Sequence, residues 1–239
     1  MAQFSSILWK EWILFKAKIA DISASALVGP LLYLIAFGWG LGNSVSIGGV
    51  SYTAFVIPGI IAMNGMTQGF SVIANDINMA RIYQKTFETV MISPISMPVF
   101  TFARVTANVL RCLYSAVLII AASTLFNSGI GLNWYFLTLL ALNSAVFSTM
   151  GFIAGLLIDT HAGIAKVSNF VITPMSFLCG TFFPLERFPP LLRKLIEILP
   201  LTQTVRGMRG VPDAVPPLSL LAWLALLIPL AIHLCKKAE

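Results

Sequence analysis

Few side chains in this sequence are equipped for chemistry, and their spacing narrows the choice further. His161 and His233 stand alone, with no acidic partner at a ligand spacing. Cys112, Cys179 and Cys235 are far apart and odd in number, with no CxxC or Cys/His spacing, so no metal ligand set is expected. No GxxxxGK[ST] loop, HExxH or GxSxG occurs, so the chain lacks a nucleotide site of that type and the hydrolases those motifs mark. No catalytic residue is assigned, and the chain reads as no enzyme. An intramembrane transferase would need a His, Asp or Glu cluster near one interface.

What remains is positive charge and amphipathic pattern. Arg104 and Arg111 are seven apart, so they share one face of a helix. Two readings stand: a functional pair, lining a path or acting as a switch, or arginines that snorkel to the interface. Met79, Ile82, Tyr83, Thr86, Phe87 and Val90 recur at helical spacing, opposed by Arg81, Gln84, Lys85 and Glu88. That predicts an amphipathic helix, lying on lipid or filling a partner's apolar groove. Phe188, Leu191, Leu192, Leu195, Ile196 and Leu199 form a second stripe, opposed by Arg193, Lys194 and Glu197. Pro189–Pro190 opens this helix and Pro200 closes it. At ~10–12 residues it is too short to span, so it lies in one leaflet or re-enters it.

These residues sit in a chain of 239, of which 58% are hydrophobic and only 10% charged. The mean hydropathy is +0.89. A soluble fold of this size cannot hide that much apolar surface, which excludes soluble enzymes, disordered chains and disulfide scaffolds. The pattern predicts an all-α polytopic membrane protein in one domain over 1–239. Its parts are an interfacial amphipathic helix at 3–20 and six transmembrane helices at about 24–42, 53–74, 99–126, 133–157, 162–183 and 215–235. GxxxG pairs at Gly38/Gly42, Gly65/Gly69 and Gly151/Gly155 permit close helix contacts within or between subunits.

The formal charge of +6 is read as loops held at the cytoplasmic side, with no nucleic acid implied. Lys10, Lys16, Lys18, Arg81, Lys85, Lys166, Lys236 and Lys237 put both termini in the cytoplasm. Arg187, Arg193, Lys194, Arg206 and Arg209 breach that rule on the outer side. They are read as anchors on lipid phosphates, with contact to an anionic substrate as the alternative. Asp21, Asp76 and Asp159 all fall at predicted span ends, whereas ion-coupled carriers place carboxylates at mid-membrane.

Two stretches resemble a family. Thr86-Phe87-Glu88-Thr89-Val90-Met91-Ile92-Ser93-Pro94-Ile95-Ser96 leads into the third span. Pro174-Met175-Ser176-Phe177-Leu178-Cys179-Gly180-Thr181-Phe182-Phe183-Pro184-Leu185-Glu186 is followed by Leu199-Pro200-Leu201-Thr202 and Arg209. Both are similar to the membrane subunit of type-2 ABC exporters, with Phe87 where Leu is usual and Cys179 where Ser is usual. The resemblance implies that helix 78–91 is a cytoplasmic coupling helix, with Met79, Ile82, Tyr83, Thr86, Phe87 and Glu88 against the ATPase. It implies an outer re-entrant hairpin over 187–210, near Pro184, Glu186, Arg187, Arg193, Lys194, Pro200 and Arg209. ATP and Mg would be bound by two separate ATP-binding cassette subunits, and this chain would hold no cofactor. It would pair with a second copy, or with a related chain, in a bacterial or archaeal cytoplasmic membrane. Its cargo would be an amphipathic or lipid-linked drug, lipid or glycan. The competing readings are an ion-coupled secondary carrier and an ABC-like import or assembly subunit.

Overall fold

The computed structural model describes residues 2–40, 46, 47, 49–126, 133–210 and 212–237. The chain starts in α1 (Ala2–Ala17), turns at Lys18 into α2 (Ile19–Tyr33), and continues through a π turn at Leu34–Trp39. A small antiparallel hairpin, β1 (Ser46–Ile47) with β2 (Val50–Ser51), leads into α3 (Tyr52–Asn78). The Ser51 hydroxyl caps α3 by accepting from the Ala54 N–H at 3.3 Å. A second π turn, Met79–Tyr83, precedes α4 (Thr86–Ile92) and α5 (Met97–Ser123). Then come α6 (Trp134–Leu157), capped by Asn133, and α7 (His161–Val167), capped by Thr160. A third π turn, Ser168–Ile172, joins α7 to α8 (Thr173–Leu178). Two short helices, α9 (Pro190–Glu197) and α10 (Pro200–Arg209), precede α11 (Val215–Lys237).

Among the described residues, five helical stretches are long and apolar enough to cross a membrane: Ile19–Phe37, Tyr52–Tyr83, Met97–Ser123, Trp134–Leu157 and Val215–Lys237. They fall on five of the six expected spans. The segment expected at 162–183 is not among them. Its helix, His161–Leu178, is long enough but less apolar, since it carries His161, Lys166, Ser168 and Asn169; Gly180, with a φ of 78°, then turns the chain away. The π turn before Pro174 opens the helix where the ring cannot accommodate an α-helical neighbour. Residues 127–132, between the third and fourth expected spans, and Gly42 lie outside the described residues.

Lipid supplies no hydrophobic force between helices, so these must be held by close packing and hydrogen bonds. The tightest contact is α3 against α6. A Cβ on Gly65 would stand 3.2 Å from the Ser144 hydroxyl, and one on Gly69 would stand 3.3 Å from Phe147 Cβ. A Cβ on Gly155 would stand 2.8 Å from the Ala74 carbonyl oxygen. The Gly65/Gly69 and Gly151/Gly155 pairs thus each pack against the facing helix within one subunit. Buried asparagines fix the register: Asn143 donates to the Ala62 carbonyl at 3.0 Å, and Asn108 of α5 donates to the Gly69 carbonyl and Ser148 hydroxyl, both at 2.8 Å. Such bonds contribute about 0.6 kcal/mol each between membrane helices. As a result 78% of the α3 window is buried, against 22% for Ile19–Phe37, so α3 is the axis of the bundle.

The terminal segments meet at one end. Ile7, Phe87, Met97, Phe100 and Cys235 share one buried cluster, which brings α1, α4, the start of α5 and the end of α11 together. The N-terminal helix is covered on only one side. Ile7 is buried and Phe4, Leu8, Glu11 and Phe15 are partly covered, while Trp9 and Trp12 face outward. Glu11 turns inward because it pairs with Arg104.

The glycine contact predicts a graded response. Gly155→Ala should destabilise the protein by ~1–3 kcal/mol through overpacking, Gly69→Ala by less, and Gly29→Ala, with open space at its Cβ, not at all. Thermal unfolding of the purified variants in detergent checks that order.

Candidate functional site

The α4 end carries the first group of expected site residues, but it breaks the expected helix 78–91 in two. The π turn ends at Tyr83, and Lys85 adopts a left-handed φ of 52° before α4 starts. That reversal turns the apolar side of α4 back into the bundle. Phe87 is only 4% exposed and meets Phe100 edge-on at 6.1 Å, and Phe100 in turn lies 6.2 Å from Phe152. Its ring thus lies inside the bundle and not on the surface of the α4 end. Met79, Tyr83, Thr86 and Glu88 are exposed and Ile82 is partly covered. Ile92, which the pattern reading passed over, is 87% exposed and adds a large apolar group to this end.

A set of polar ties fastens the same end to the link between α6 and α7. Asn78 donates to the Ile158 carbonyl at 2.6 Å, and Arg81 pairs with Asp159. The His161 ring stacks on Tyr83 at 5.0 Å, with its Nδ1 3.2 Å from Asn75 Oδ1. Gln3 of α1 donates to the Pro94 carbonyl at 2.5 Å. A push on Tyr83 or α4 thus reaches α3, α5, α6 and α7 through named contacts.

The opposite end holds the short helices α9 and α10; the pattern predicts the first, and Pro200, which closes it, also starts the second. Pro200 starts α10 and is buried; Pro184 is partly covered; Glu186, Arg187, Arg193 and Lys194 are exposed. Glu197 accepts from Arg193 at 2.8 Å, and that carboxylate holds the guanidinium above its ordinary value. Arg209 departs from its expected place among headgroup anchors. It donates to the carbonyls of Phe55 at 2.8 Å, Gly180 at 2.5 Å and Thr181 at 2.6 Å, and stacks 3.7 Å from the Phe55 ring centroid. Gly59 leaves room for it, since a Cβ there would stand 2.7 Å from Arg209 Nη2. Thr204 adds a bond to Asn143 at 3.1 Å, which ties α10 to the α3–α6 contact.

Arg104 and Arg111 share a face but not a role. Arg104 pairs with Glu11 and stands 3.7 Å from Asp76 Oδ2. Arg111 makes no ion pair among the described residues, and its Nε is buried without a hydrogen-bond partner. Both line a cavity between α1, α2, α3 and α5.

A second, smaller groove of about 280 Å³ lies between α2, α3 and α8. Ser25 and Tyr33, Asn64, Thr67 and Gln68, and Thr173 and Ser176 line it from the three helices. Asn64 Nδ2 is buried there without a partner. None of these residues stands out in the sequence, because isolated Ser, Thr, Asn and Gln are ordinary in membrane helices; only their convergence marks them.

Comparison with known proteins decides the class. The family model described as ABC-2 type transporter matches residues 2–211, which runs from α1 to just past α10. The chain belongs to that family. It is 31% identical over 180 residues to the Inner membrane transport permease YadH of Escherichia coli strain K12, covering 74% of this chain and 70% of that one. Nodulation protein J of Neorhizobium galegae is 26% identical over 207 residues (84% and 78% covered), and that of Rhizobium meliloti strain 1021 is 29% identical over 212 (85% and 79%). As an ABC-2 permease the chain is a multi-pass membrane component of a transporter, and membership implies ATP-binding subunits as partners.

Within this ABC-2 permease, Arg209 is the lock of the hairpin end. Arg209→Ala leaves three carbonyls unpaired and should destabilise the protein by ~3 kcal/mol or more. Arg209→Lys cannot replace the planar fork and should rescue only part of that loss. Exposed Arg193→Ala should leave the unfolding midpoint unchanged in the same assay.

Proposed function

We propose that two copies of this chain form the membrane part of an ATP-driven exporter, with two ATP-binding cassette subunits docked at the α4 end. The observation that carries this reading is the groove between α2, α3 and α8. Amide and hydroxyl groups facing hydrocarbon are costly, so a face that bears Gln68, Thr67, Ser25 and Thr173 is better covered by protein and water than by lipid. A second copy apposed on this face makes the groove one wall of a polar path. Its hydroxyls, amides and aromatic rings, with no carboxylate among the described lining residues, suit an amphipathic or lipid-linked cargo rather than a coupled ion.

Lys10, Lys16, Arg81, Lys85 and Lys237 belong to segments at the α4 end, which supports a cytoplasmic placement for that end and both termini. The relative named an inner membrane transport permease supports the cytoplasmic membrane. ATP and Mg bound by the partner subunits supply the motion. In this chain Tyr83, Glu88 and Ile92 receive it. Arg81–Asp159 and Tyr83–His161 carry it to the α6–α7 link, and Phe87–Phe100 carries it to α5. The three helical segments that line the groove each adjoin a π turn, at Leu34–Trp39, Met79–Tyr83 and Ser168–Ile172. Such turns are frequent at functional sites and are points where a helix bends.

Purification of the tagged chain from native membranes tests this. A subunit with a GxxxxGK[ST] loop should accompany it, and the triple substitution Tyr83→Ala, Glu88→Ala, Ile92→Ala should cut its recovery by about tenfold or more. Gln68→Leu should leave the complex intact and lower ATP-dependent export. Full recovery with the triple variant, or no ATPase at all, contradicts the reading.

A further inference from the structure

A further cavity belongs to neither the groove nor the α4 surface. It has a volume of about 720 Å³ and lies between α1, the α1–α2 joint, α3 and α5. Its charges are unevenly matched. Arg104 is shared by Glu11 and Asp76, so that triad carries one net negative charge. Lys18 and Arg111 line the same cavity and make no ion pair among the described residues. Arg111 Nε and Asn108 Oδ1 are buried there without hydrogen-bond partners. A guanidinium in this setting, about 10 Å along α5 from Arg104, is costly unless an anion or water meets it.

The rim is apolar. Trp9, Trp12 and Leu14 of α1 and Leu110 of α5 line the cavity and are 64%, 47%, 47% and 56% exposed. On the opposite wall Tyr114 meets Phe15 edge-on at 5.1 Å and lies 2.8 Å from the Ser23 hydroxyl, which ties both N-terminal helices to α5. A small ion from water would have to cross that apolar rim. An amphiphile would lay its tail on it. Paired tryptophans beside unpaired cations are the combination that receives an acidic headgroup at a membrane interface.

We infer that this cavity binds an anionic membrane phospholipid, with its phosphate on Arg111 and Lys18 and its acyl chains against Trp9, Trp12 and Leu110. The site stands apart from the groove and does not depend on the export reading. Occupancy joins α1 to α5 across a charge that would otherwise be unmatched, so the lipid acts as a structural ligand of the N-terminal helices.

The test titrates purified protein in neutral detergent with short-chain phosphatidylglycerol, phosphatidylcholine or inorganic phosphate, and reads tryptophan fluorescence. Phosphatidylglycerol should saturate at least about tenfold more tightly than phosphatidylcholine, and phosphate alone should produce no saturable change. Lys18→Gln and Arg111→Gln should each weaken phosphatidylglycerol by about fivefold or more, and Lys194→Gln should not. Lys18 lies at the helix joint outside the spans, so it reports binding even where Arg111→Gln folds poorly. Equal binding of the two lipids, saturation by phosphate alone, or unchanged affinity in Lys18→Gln overturns the inference.

Discussion

Everything in this bundle depends on how closely α3 can approach α6. In lipid, two helices gain nothing from shedding apolar surface to each other, so contact must come from fit. Gly65, Gly69, Gly151 and Gly155 remove the side chains that would hold the axes apart, and the freed space exposes backbone carbonyls to Asn108 and Asn143. Once that seam is closed, α3 becomes a rigid rod buried along most of its length. Its two ends then serve as fixed points. One carries Asn78 and Arg81 to the α6–α7 link, and the other offers the Phe55 carbonyl to Arg209.

That rod explains why the two ends differ in chemistry. The hairpin end is locked by a cation whose three nitrogens each donate to a backbone carbonyl, which fixes α10 and the turn at Gly180–Thr181. The α4 end is tied by ion pairs and ring stacking, with exposed Tyr83 and Ile92 beside them. Exposed ion pairs are weak and rearrange readily. A bundle stiff at one end and adjustable at the other suits a machine driven from the adjustable end.

Much of this was legible in the sequence, for physical reasons that can be named. Scarce charge defines the membrane class, and the clustering of charge at 10–21, 76–88 and 186–213 marks the non-spanning elements. Proline marks the start of α9 and α10. What periodicity could not show is tertiary. The left-handed Lys85 has no local signature, so a stripe that reads as one helix became two, and Phe87 turned inward. Charge counting treats all outer arginines alike, whereas Arg209 faces carbonyls of distant segments. The GxxxG pairs were visible, but only the structure shows that Gly65/Gly69 pack on α6 near Ser144 and Phe147, and Gly151/Gly155 on α3 near Phe70 and Ala74. The groove and the charged cavity each draw on several helices, and no local pattern carries them.

The central claim is that the α2–α3–α8 face meets a second copy of the chain. Cross-linking in native membranes with a short bismaleimide tests it most directly. Thr173→Cys, exposed on that face, should give a covalent dimer, because the native cysteines Cys112, Cys179 and Cys235 are all buried. Leu226→Cys on the exposed side of α11 should remain monomeric. A dimer through position 226 and none through position 173 would contradict the account.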